Sequence, residues 1–211
     1  MTKKIVVFDL GRVLLRICDS WQHACEVVGI TGVDWRELNR AEQSQLDQVI
    51  HAFDTGDLDL ATFAARAGKL RGLTPQQVIA LSNGYPRGPF PGAGELLDDL
   101  RAAGHTTACL SNTNANHWRI LADPNDPHGK VLHKLHHRFA SHLMRVRKPD
   151  PAIYAQVEKE LGASGDRIIF FDDRPENIAA AKARGWSGFV VPVVPNPIPT
   201  IRAHLQESGV L

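Results

Sequence analysis

Three carboxylates stand where apolar stretches of the sequence end. Asp9 closes the stretch "IVVFD", and Asp172 and Asp173 follow "IIFF" at 168–171. If both stretches are central parallel strands, their carboxyl ends meet in one crevice and bring the three acids together. Like charges at close range raise one another's pKa unless a cation neutralises them, and Mg²⁺ accepts carboxylates, water and substrate phosphate at once. The acids therefore predict a Mg²⁺ site.

Each acid also has a structural explanation that involves no ligand. Asp173 and Glu176 have the spacing of a helix capping box, and Asp9 fits a turn at the end of a strand. Only one of two consecutive residues can cap a helix, however. Asp172 and Asp173 directly after an apolar run therefore favour the metal site.

Three further residues have the chemistry of a phosphate site. Ser111 ends the apolar stretch 106–111 and Asn112 follows it, so that a hydroxyl and backbone N–H groups point towards the same crevice. Lys148 precedes a predicted helix and can place an ammonium group there. Taken singly, Ser111 is more simply an ordinary cap and Lys148 a solvated charge. Their order along the chain, between the acids, favours phosphate binding.

These residues require a sheet whose strands end at one edge. Four short stretches are almost continuously apolar, as in a sheet covered on both faces; they are 5–9, 106–111, 167–173 and 188–191. Helices with glycine ends are predicted at 91–104, 148–162 and 173–185. In the second, Asp150 is the N-cap, Pro151 the first residue and Gly162 the stop. This alternation predicts an α/β fold with a doubly wound, Rossmann-like parallel sheet.

Residues 17–88 interrupt the alternation. Amphipathic stretches such as "WRELNRAEQSQLDQVIHAF" and "TPQQVIALS" predict helices, and the segment carries no strong strand signal. We therefore predict a helical cap domain, 17–88, inserted after the first strand of a core domain made of 1–16 and 89–211. The cap would lie over the carboxyl ends of the strands, where open α/β sheets bind ligands.

Composition narrows the classes of partner. The 211 residues carry a formal charge of +1 with both signs mixed, so neither nucleic acid nor an anionic membrane is a predicted partner. No apolar stretch approaches the ~20 residues that span a bilayer. We expect a cytoplasmic monomer or homodimer that acts on a small molecule. The cysteines form no CxxC pair and are predicted to be reduced packing residues; they are Cys18, Cys25 and Cys109.

Four motifs occur in order along the chain: the strand ending in Asp9, then "LSN", "RKPDPAIY" and "FFDDRPEN". This order resembles the signature of the haloacid dehalogenase-like hydrolases over the whole chain. "FDLGRV" and "LSNTN" resemble more closely the branch that contains bacterial α-D-glucose-1-phosphate phosphatase and the phosphatase domain of bifunctional epoxide hydrolases. The helical insert resembles the cap of that superfamily.

The resemblance implies a role for each acid. Asp9 would be the nucleophile that attacks phosphorus and becomes a phosphoaspartate, which water later cleaves. Asp9, the backbone carbonyl of Gly11 and Asp172 would hold Mg²⁺, with Asp173 close by or bound through water. Because a carboxylate is a weak nucleophile, orientation and charge neutralisation must supply most of the acceleration.

The other motif residues would bind the transferring phosphoryl group. The resemblance assigns this role to the Ser111 hydroxyl, the backbone N–H of Asn112 and Lys148. The charge of Lys148 would also offset that of Asp9. Asn177 would tie the last loop to the site.

The opening motif departs from the superfamily pattern. Most of its phosphatases carry a second acid two residues after the nucleophile, where this chain has Gly11, and a missing general acid can cost ~10²- to 10⁴-fold in rate. The glucose-1-phosphatase-like relatives also have "DLG" here, so the glycine does not by itself imply an inactive protein. An acidic leaving group would reduce the need for an acid, and water or a cap residue could supply the proton. Arg12 adds a cation beside the nucleophile. It is expected to reach substrate phosphate or a cap carboxylate such as Asp54 or Asp57, or else to form a plain surface ion pair.

A histidine-rich segment follows the second motif. His133 and His137 stand four apart on a predicted helix, which could hold a second metal ion or, as we favour, present a polar face. His142 is the histidine expected nearest to the crevice.

We expect a Mg²⁺-dependent phosphatase that hydrolyses a small phosphorylated metabolite, such as a sugar phosphate. Two alternatives remain open. A protein that binds phosphorylated ligands without turnover would explain Gly11. A 2-haloacid dehalogenase would also use an aspartate nucleophile without the second acid, but that chemistry needs no metal, and Asp172 beside Asp173 argues against it.

Overall fold

The computed structural model describes residues 3–211, in which seven strands form two sheets. In chain order the strands are β1 (Ile5–Phe8), β2 (Leu15–Ile17), β3 (Pro86–Pro89), β4 (Thr106–Ser111), β5 (His137–Ala140), β6 (Ile168–Asp172) and β7 (Ser187–Val190). Five of them form a parallel sheet in the order β5-β4-β1-β6-β7. The other two, β2 and β3, form an antiparallel ribbon.

Ten α-helices of the described chain surround the sheet and build the cap. They are α1 (Trp21–Val27), α2 (Arg40–Asp54), α3 (Leu60–Arg71), α4 (Pro75–Gly84), α5 (Ala93–Ala102), α6 (Ala115–Ala122), α7 (Ser141–Met144), α8 (Pro151–Leu161), α9 (Pro175–Ala183) and α10 (Ile198–Glu207). Helices α5 and α10 share one buried cluster with the sheet, and α8 and α9 share another. The predicted doubly wound α/β sheet, with a helical cap after the first strand, is confirmed.

Strand β1 lies at the centre of the sheet and contributes to both buried clusters. Val6 and Phe8 face the cluster that α5 and α10 complete, whereas Ile5 and Val7 face that of α8 and α9. Alternate residues of a strand point to opposite faces, so a strand covered on both sides needs apolar residues throughout. Burial of each such side chain stabilises the fold by about 1.5–3 kcal/mol. This burial fixes the position of the residue that follows the strand.

The strand register brings the functional motifs to one edge. Phe8 is level with Phe171 of β6 and with Cys109 of β4. Asp9 and Asp172, which follow Phe8 and Phe171, therefore leave the sheet side by side. The backbone N–H of Asp9 donates to the Phe171 carbonyl over 2.8 Å, which holds this register to the last residue.

Helix α8 begins and ends at the predicted residues. The Asp150 side chain accepts a hydrogen bond from the N–H of Ala152 over 2.8 Å, and Pro151 is the first helical residue. Gly162 ends the helix with a φ of 59°, a left-handed conformation that costs glycine little. The third motif, 147–154, thus spans the residues before α8 and its first turn.

The helix predicted for the histidine-rich segment is wrong. His133 lies in a short 3₁₀ turn, and His137 begins β5, which pairs with β4 at the edge of the sheet. Phe139 and Ala140 bury their side chains, and pairing with β4 satisfies the backbone of this segment. His133 and His137 therefore have neither the helical spacing of a metal pair nor a shared polar helix face.

Helices α1–α4 pack around a buried cluster of their own, separate from those of the sheet. Helix α2 begins only at Arg40, because Asn39 and Glu42 form a capping box there, so the first five residues of its predicted amphipathic stretch lie outside it. Ile17 and Pro86 pair across the ribbon of β2 and β3. The segment 17–88 is thus not helical at its two ends. There the chain passes between core and cap, and the pairing of β2 with β3 satisfies its backbone.

All three cysteines are buried and free, as predicted for packing residues. Cys109 belongs to the cluster of α5 and α10, where burial raises the pKa of its thiol to about 12. Cys18 and Cys25 belong to the cap cluster. Within residues 3–211, every helix is too short or too polar to cross a bilayer.

Candidate active site

Asp9, Asp172 and Asp173 come together at the carboxyl edge of the sheet. One carboxylate oxygen of each lies within 4.8 Å of the others. In the part of the chain that the structure describes, no other group of three or more His, Cys, Asp or Glu side chains converges in this way. The Asp172 side chain is fully buried, while 14% of Asp9 and 10% of Asp173 remain exposed. The two exposed carboxylates face a cleft between core and cap.

The Lys148 ammonium joins two of these acids. Its Nζ lies 2.9 Å from Asp9 Oδ1 and 2.6 Å from Asp172 Oδ2, and it donates a third bond to the Leu110 carbonyl over 2.7 Å. All three donors of the ammonium are therefore used, and 1% of the side chain is exposed. A buried cation held so firmly is a fixed part of the site. Lys148 is therefore not a solvated charge, which was the simpler interpretation of its sequence.

Burial dominates the electrostatics of the cluster. It raises the pKa of Asp9 to about 7, and Asp172 adds to that rise, although Lys148 opposes it. Burial likewise raises the pKa of Asp173. For Lys148, burial disfavours the charged form, but Asp9 and Asp172 outweigh it and raise its pKa. The lysine therefore stays charged, while Asp9 needs a further cation to ionise fully at neutral pH.

Asp172 is held by the start of α9. The Asn177 side chain donates to both of its carboxylate oxygens, over 2.9 and 3.0 Å, and the N–H of Arg174 donates to Oδ1 over 2.8 Å. This is the link between the last loop and the site expected of Asn177. The alternative capping box is not formed, because Arg174 is the N-cap residue and binds Glu176, which leaves Asp173 free to face the cleft.

Ser111 and Asn112 lie at the end of β4, where both line the cleft. The Asn112 side chain has a function that the sequence did not indicate. Its Nδ2 donates to the Lys148 carbonyl over 2.9 Å, and its Oδ1 accepts from the Lys148 N–H over 2.8 Å. Asn112 thus fixes the backbone of the residue whose ammonium binds the acids.

Gly11 and Arg12 form the turn after β1, on the wall of the cleft. A Cβ at Gly11 would lie 3.0 Å from Cδ1 of Ile17, so any side chain there requires Ile17 to move. Arg12 adopts a φ of 61°, and its guanidinium lies 3.7 Å from carboxylate oxygens of both Asp173 and Asp19. Arg12 is therefore beside the acid cluster.

Arg12 reaches a cap carboxylate, as expected, but that residue is Asp19 and not Asp54 or Asp57. Asp54 lies 3.2 Å from Arg147, and Asp57 lies 3.7 Å from Arg145, because the turn after α2 docks on the segment before Lys148. Burial raises the pKa of Asp54 to about 6, although Arg147 opposes the rise. Asp54 and Arg147 both line the cleft and join cap to core across it.

Several lining residues carried no signal in the sequence, because contact between α4 and α6 brings them together. His117 Nε2 lies 3.2 Å from Ser82 Oγ, and its ring stacks on Tyr85. Burial lowers the pKa of His117 to about 4, so it is neutral. The histidine expected nearest to the crevice, His142, does not line it and packs against Trp118 instead.

The donor set fits Mg²⁺. Three carboxylates supply the hard oxygen ligands that this ion prefers, and the Lys148 ammonium donates to two of them, Asp9 and Asp172. Gly11, whose carbonyl was expected to be a ligand, lies in the same cleft. The cleft has a volume of about 340 Å³, enough for a small ligand above the acids.

Known proteins with similar sequences or folds include phosphatases and dehalogenases. A sesquiterpene phosphatase of Aspergillus oryzae is 27% identical over 89% of this chain and 89% of its own. An (S)-2-haloacid dehalogenase of Burkholderia cepacia is 24% identical over 86% of this chain and 79% of its own. A haloacid dehalogenase family enzyme of Bacteroides thetaiotaomicron, solved with magnesium and inorganic phosphate, superposes with a TM-score of 0.73 at 24% identity, over 91% of this chain and 96% of that one.

The family model for haloacid dehalogenase-like hydrolases matches residues 3–185. That span begins just before β1 and runs through α9 and the glycine after it, so it contains all four motifs and the whole cap. A match over most of the chain, on a sheet that gathers the four motifs at one edge, shows that the chain belongs to the haloacid dehalogenase-like hydrolases.

Proposed function

We propose that the protein is a Mg²⁺-dependent phosphatase that hydrolyses a small phosphorylated metabolite through a phosphoaspartate on Asp9. The observation that carries the proposal is the Lys148 ammonium, bonded to Asp9 and Asp172 within a cluster of three acids. The relation to a phosphatase of Aspergillus oryzae and the magnesium and phosphate in the Bacteroides structure support it. The opening motifs, which resemble those of the glucose-1-phosphate phosphatase branch, add sugar phosphates to the substrates to be tested.

In the proposed reaction an oxygen of Asp9 attacks phosphorus while the bond to the leaving oxygen breaks. That oxygen departs as an anion and takes its proton from water, since residue 11 is glycine. The Ser111 hydroxyl and the Asn112 N–H bind the phosphoryl oxygens. Lys148, whose three donors already bind protein oxygens, attracts the phosphoryl group by its charge and keeps Asp9 oriented. Water then attacks the phosphorus of the phosphoaspartate, which releases inorganic phosphate and restores the carboxylate. Positioning and charge neutralisation supply most of the acceleration in such transfers.

Mg²⁺ would be held by the three acids and by the backbone carbonyl of Gly11. When bound, the ion supplies positive charge that offsets the phosphate and favours the ionised form of Asp9. The residues of the chain do the rest of the work. Asn177 and the N–H of Arg174 fix Asp172, and Asn112 fixes the loop of Lys148.

Release of inorganic phosphate from a panel of phosphomonoesters tests the proposal. We expect release that requires Mg²⁺, stops with EDTA and falls to background in Asp9→Asn. Asp98→Asn, at an exposed acid on α5, is the matched control and should keep full activity. Turnover that survives Asp9→Asn would refute the assigned nucleophile. Binding of Mg²⁺ and phosphorylated ligands by calorimetry, without turnover anywhere in the panel, would favour a ligand-binding protein instead.

A 2-haloacid dehalogenase is the second candidate, because Gly11 removes the usual second acid and a dehalogenase of Burkholderia cepacia is among the relatives. In that reaction Asp9 would attack a carbon atom and displace halide without a metal ion. Three converging acids would then have no use, which is why we place this candidate second. Chloride release from 2-chloropropionate in the presence of EDTA would reverse the order.

A further inference from the structure

The cleft is divided into a polar floor and an apolar roof. Apart from Gly11, the lining residues of the core are all polar or charged. The cap contributes nine lining residues, of which Asp54 and Ser82 are fully polar, while the other seven are apolar apart from the Tyr85 hydroxyl and the Trp21 indole N–H. Six of the other seven form what we call the roof: Trp21, Ile50, Phe53, Phe63, Leu81 and Tyr85. A ligand that fills the cleft therefore meets charge at one end and hydrocarbon at the other.

Aromatic rings dominate the roof. Phe53 and Phe63 stack with their centroids 4.1 Å apart, and Trp21 lies 6.2 Å from Phe63. Trp21 and Ile50 are only half-buried, so part of their surface faces the cleft. Flat apolar groups pack well against such a surface through stacked or edge-on contacts.

Asp54 and Ser82, the two fully polar side chains of the cap lining, already have partners. Ser82 Oγ accepts a hydrogen bond from Asn116 over 3.1 Å and lies 3.2 Å from His117 Nε2. Asp54 is paired with Arg147 over 3.2 Å. A leaving group rich in hydroxyls would lose its water under the roof and find only the Tyr85 hydroxyl and the Trp21 indole N–H to replace it, which weakens binding.

The volume of the cleft limits the size of the leaving group. A cavity of about 150 Å³ lined by leucine, isoleucine and phenylalanine holds benzene, so about 340 Å³ holds roughly 14 non-hydrogen atoms on the same scale. A phosphate group takes five of them, which leaves about nine for the alcohol. Because Gly11 provides no acid, an alcohol that departs without a proton suits the site. Phenols, with a pKa near 10, do so far more readily than aliphatic alcohols.

We propose that the substrate is the phosphate monoester of an apolar, ring-containing alcohol of about seven to nine non-hydrogen atoms, best matched by an aryl phosphate, rather than a sugar phosphate. This inference rests on the proposed phosphatase function. The core floor binds the phosphate, and the roof covers the ring.

Binding of phosphonates, which the enzyme cannot hydrolyse, tests the roof without turnover. Methylphosphonate and phenylphosphonate are titrated into the protein with Mg²⁺ by calorimetry. Each fully buried carbon is worth about fourfold in affinity. With half of the surface of the five additional carbons covered, phenylphosphonate should bind about 30-fold more tightly. A ratio below about threefold would overturn the proposal.

A pair of neighbouring variants locates the effect. Ile50→Asn places an amide in the roof, whereas Val49→Asn places one on the other side of α2, outside the cleft. We expect Ile50→Asn to reduce the phenyl-to-methyl ratio at least fivefold with methylphosphonate affinity unchanged, and Val49→Asn to keep the wild-type ratio. Equal loss in both variants would contradict a roof contact. The wild-type ratio decides the question if Ile50→Asn does not fold.

Turnover separates this inference from the function on which it rests. We expect a higher kcat/KM for phenyl phosphate than for glucose 1-phosphate. Preference for glucose 1-phosphate, together with a flat phosphonate series, would overturn the inference and leave the phosphatase intact. A steep phosphonate series without phosphate release from any ester would overturn the phosphatase and leave an apolar phosphonate-binding site.

Discussion

Replacing Lys148 by methionine tests whether the acid cluster depends on one buried cation. The ammonium bonds to Asp9 and Asp172, and both partners of the Asp172 bond are almost completely buried. Methionine keeps most of the volume and removes the charge. Two carboxylates would then face each other without their cation, which is the costly way to break a buried ion pair.

The expected loss follows from this geometry. Removing one partner of a buried pair costs about 3–5 kcal/mol, since the remaining charge stays desolvated. The loss depends on pH because burial already raises the pKa of Asp9, one of the two abandoned acids, to about 7. When folding raises the pKa of an acid, the free energy of unfolding falls as the pH rises from the ordinary pKa to the raised one. The fall is about 1.4 kcal/mol per pH unit. The loss should therefore be near 3–5 kcal/mol at pH 8 and smaller at pH 5.5.

Urea unfolding in EDTA at the two pH values measures both quantities. The matched control is Lys134→Met, which breaks the exposed ion pair of Lys134 with Asp98. That variant should lose at most about 1 kcal/mol, equally at both pH values. A loss below about 1 kcal/mol for Lys148→Met at pH 8, or one that does not change with pH, would refute the role of Lys148 as the cation that holds the acids together.

Three further substitutions test other parts of the site. Because burial raises the pKa of Asp9 to about 7, the free energy of unfolding of the wild type in EDTA should fall by about 1–4 kcal/mol relative to that of Asp9→Asn from pH 4 to pH 8. A difference between the two that stays constant with pH would contradict the raised pKa. Asn112→Ala removes two bonds to the Lys148 backbone, so about 1–3 kcal/mol of stability and roughly 10²-fold in kcat should be lost; unchanged phosphate release would show that Asn112 has no positioning role. Gly11→Asp combined with Ile17→Val, which removes the crowding Cδ1 atom, should speed release from alkyl phosphates by ~10²-fold or more, whereas Gly11→Asn in the same background should not.

The sequence predicted the core of the site because strand ends are easy to locate. A strand covered on both faces is apolar to its last residue, so the first acid after "IVVF" or "IIFF" marks the edge where parallel strands meet. The register of Phe8 with Phe171 then brings Asp9 and Asp172 together. The bounds of helix α8 were equally predictable from the sequence, since proline and glycine at its ends act through local backbone geometry.

The features that sequence reasoning missed depend on contacts distant in the chain. Strand β5 buries only Phe139 and Ala140, and four residues at an edge are too few for a periodic signal. The clamp of Asn112 on Lys148 joins residues 36 apart. Arg147 draws Asp54 away from Arg12 because the cap docks on the segment before Lys148, and no local pattern records that docking.

The missing acid and the apolar side chain of Ile17 belong to one structural feature. The chain leaves β1 at Asp9, turns through Gly11 and returns in β2, whose Ile17 lines the same cleft. The Cδ1 atom of Ile17 lies 3.0 Å from where a Cβ at residue 11 would be, so an acid there requires the end of the Ile17 side chain to shift by a few tenths of an ångström. An isoleucine adds hydrocarbon beside the leaving group, whereas an aspartate would bring it a proton. With glycine at 11 and isoleucine at 17, the turn favours an apolar leaving group that departs unaided, which is the property that phenols have and aliphatic alcohols lack.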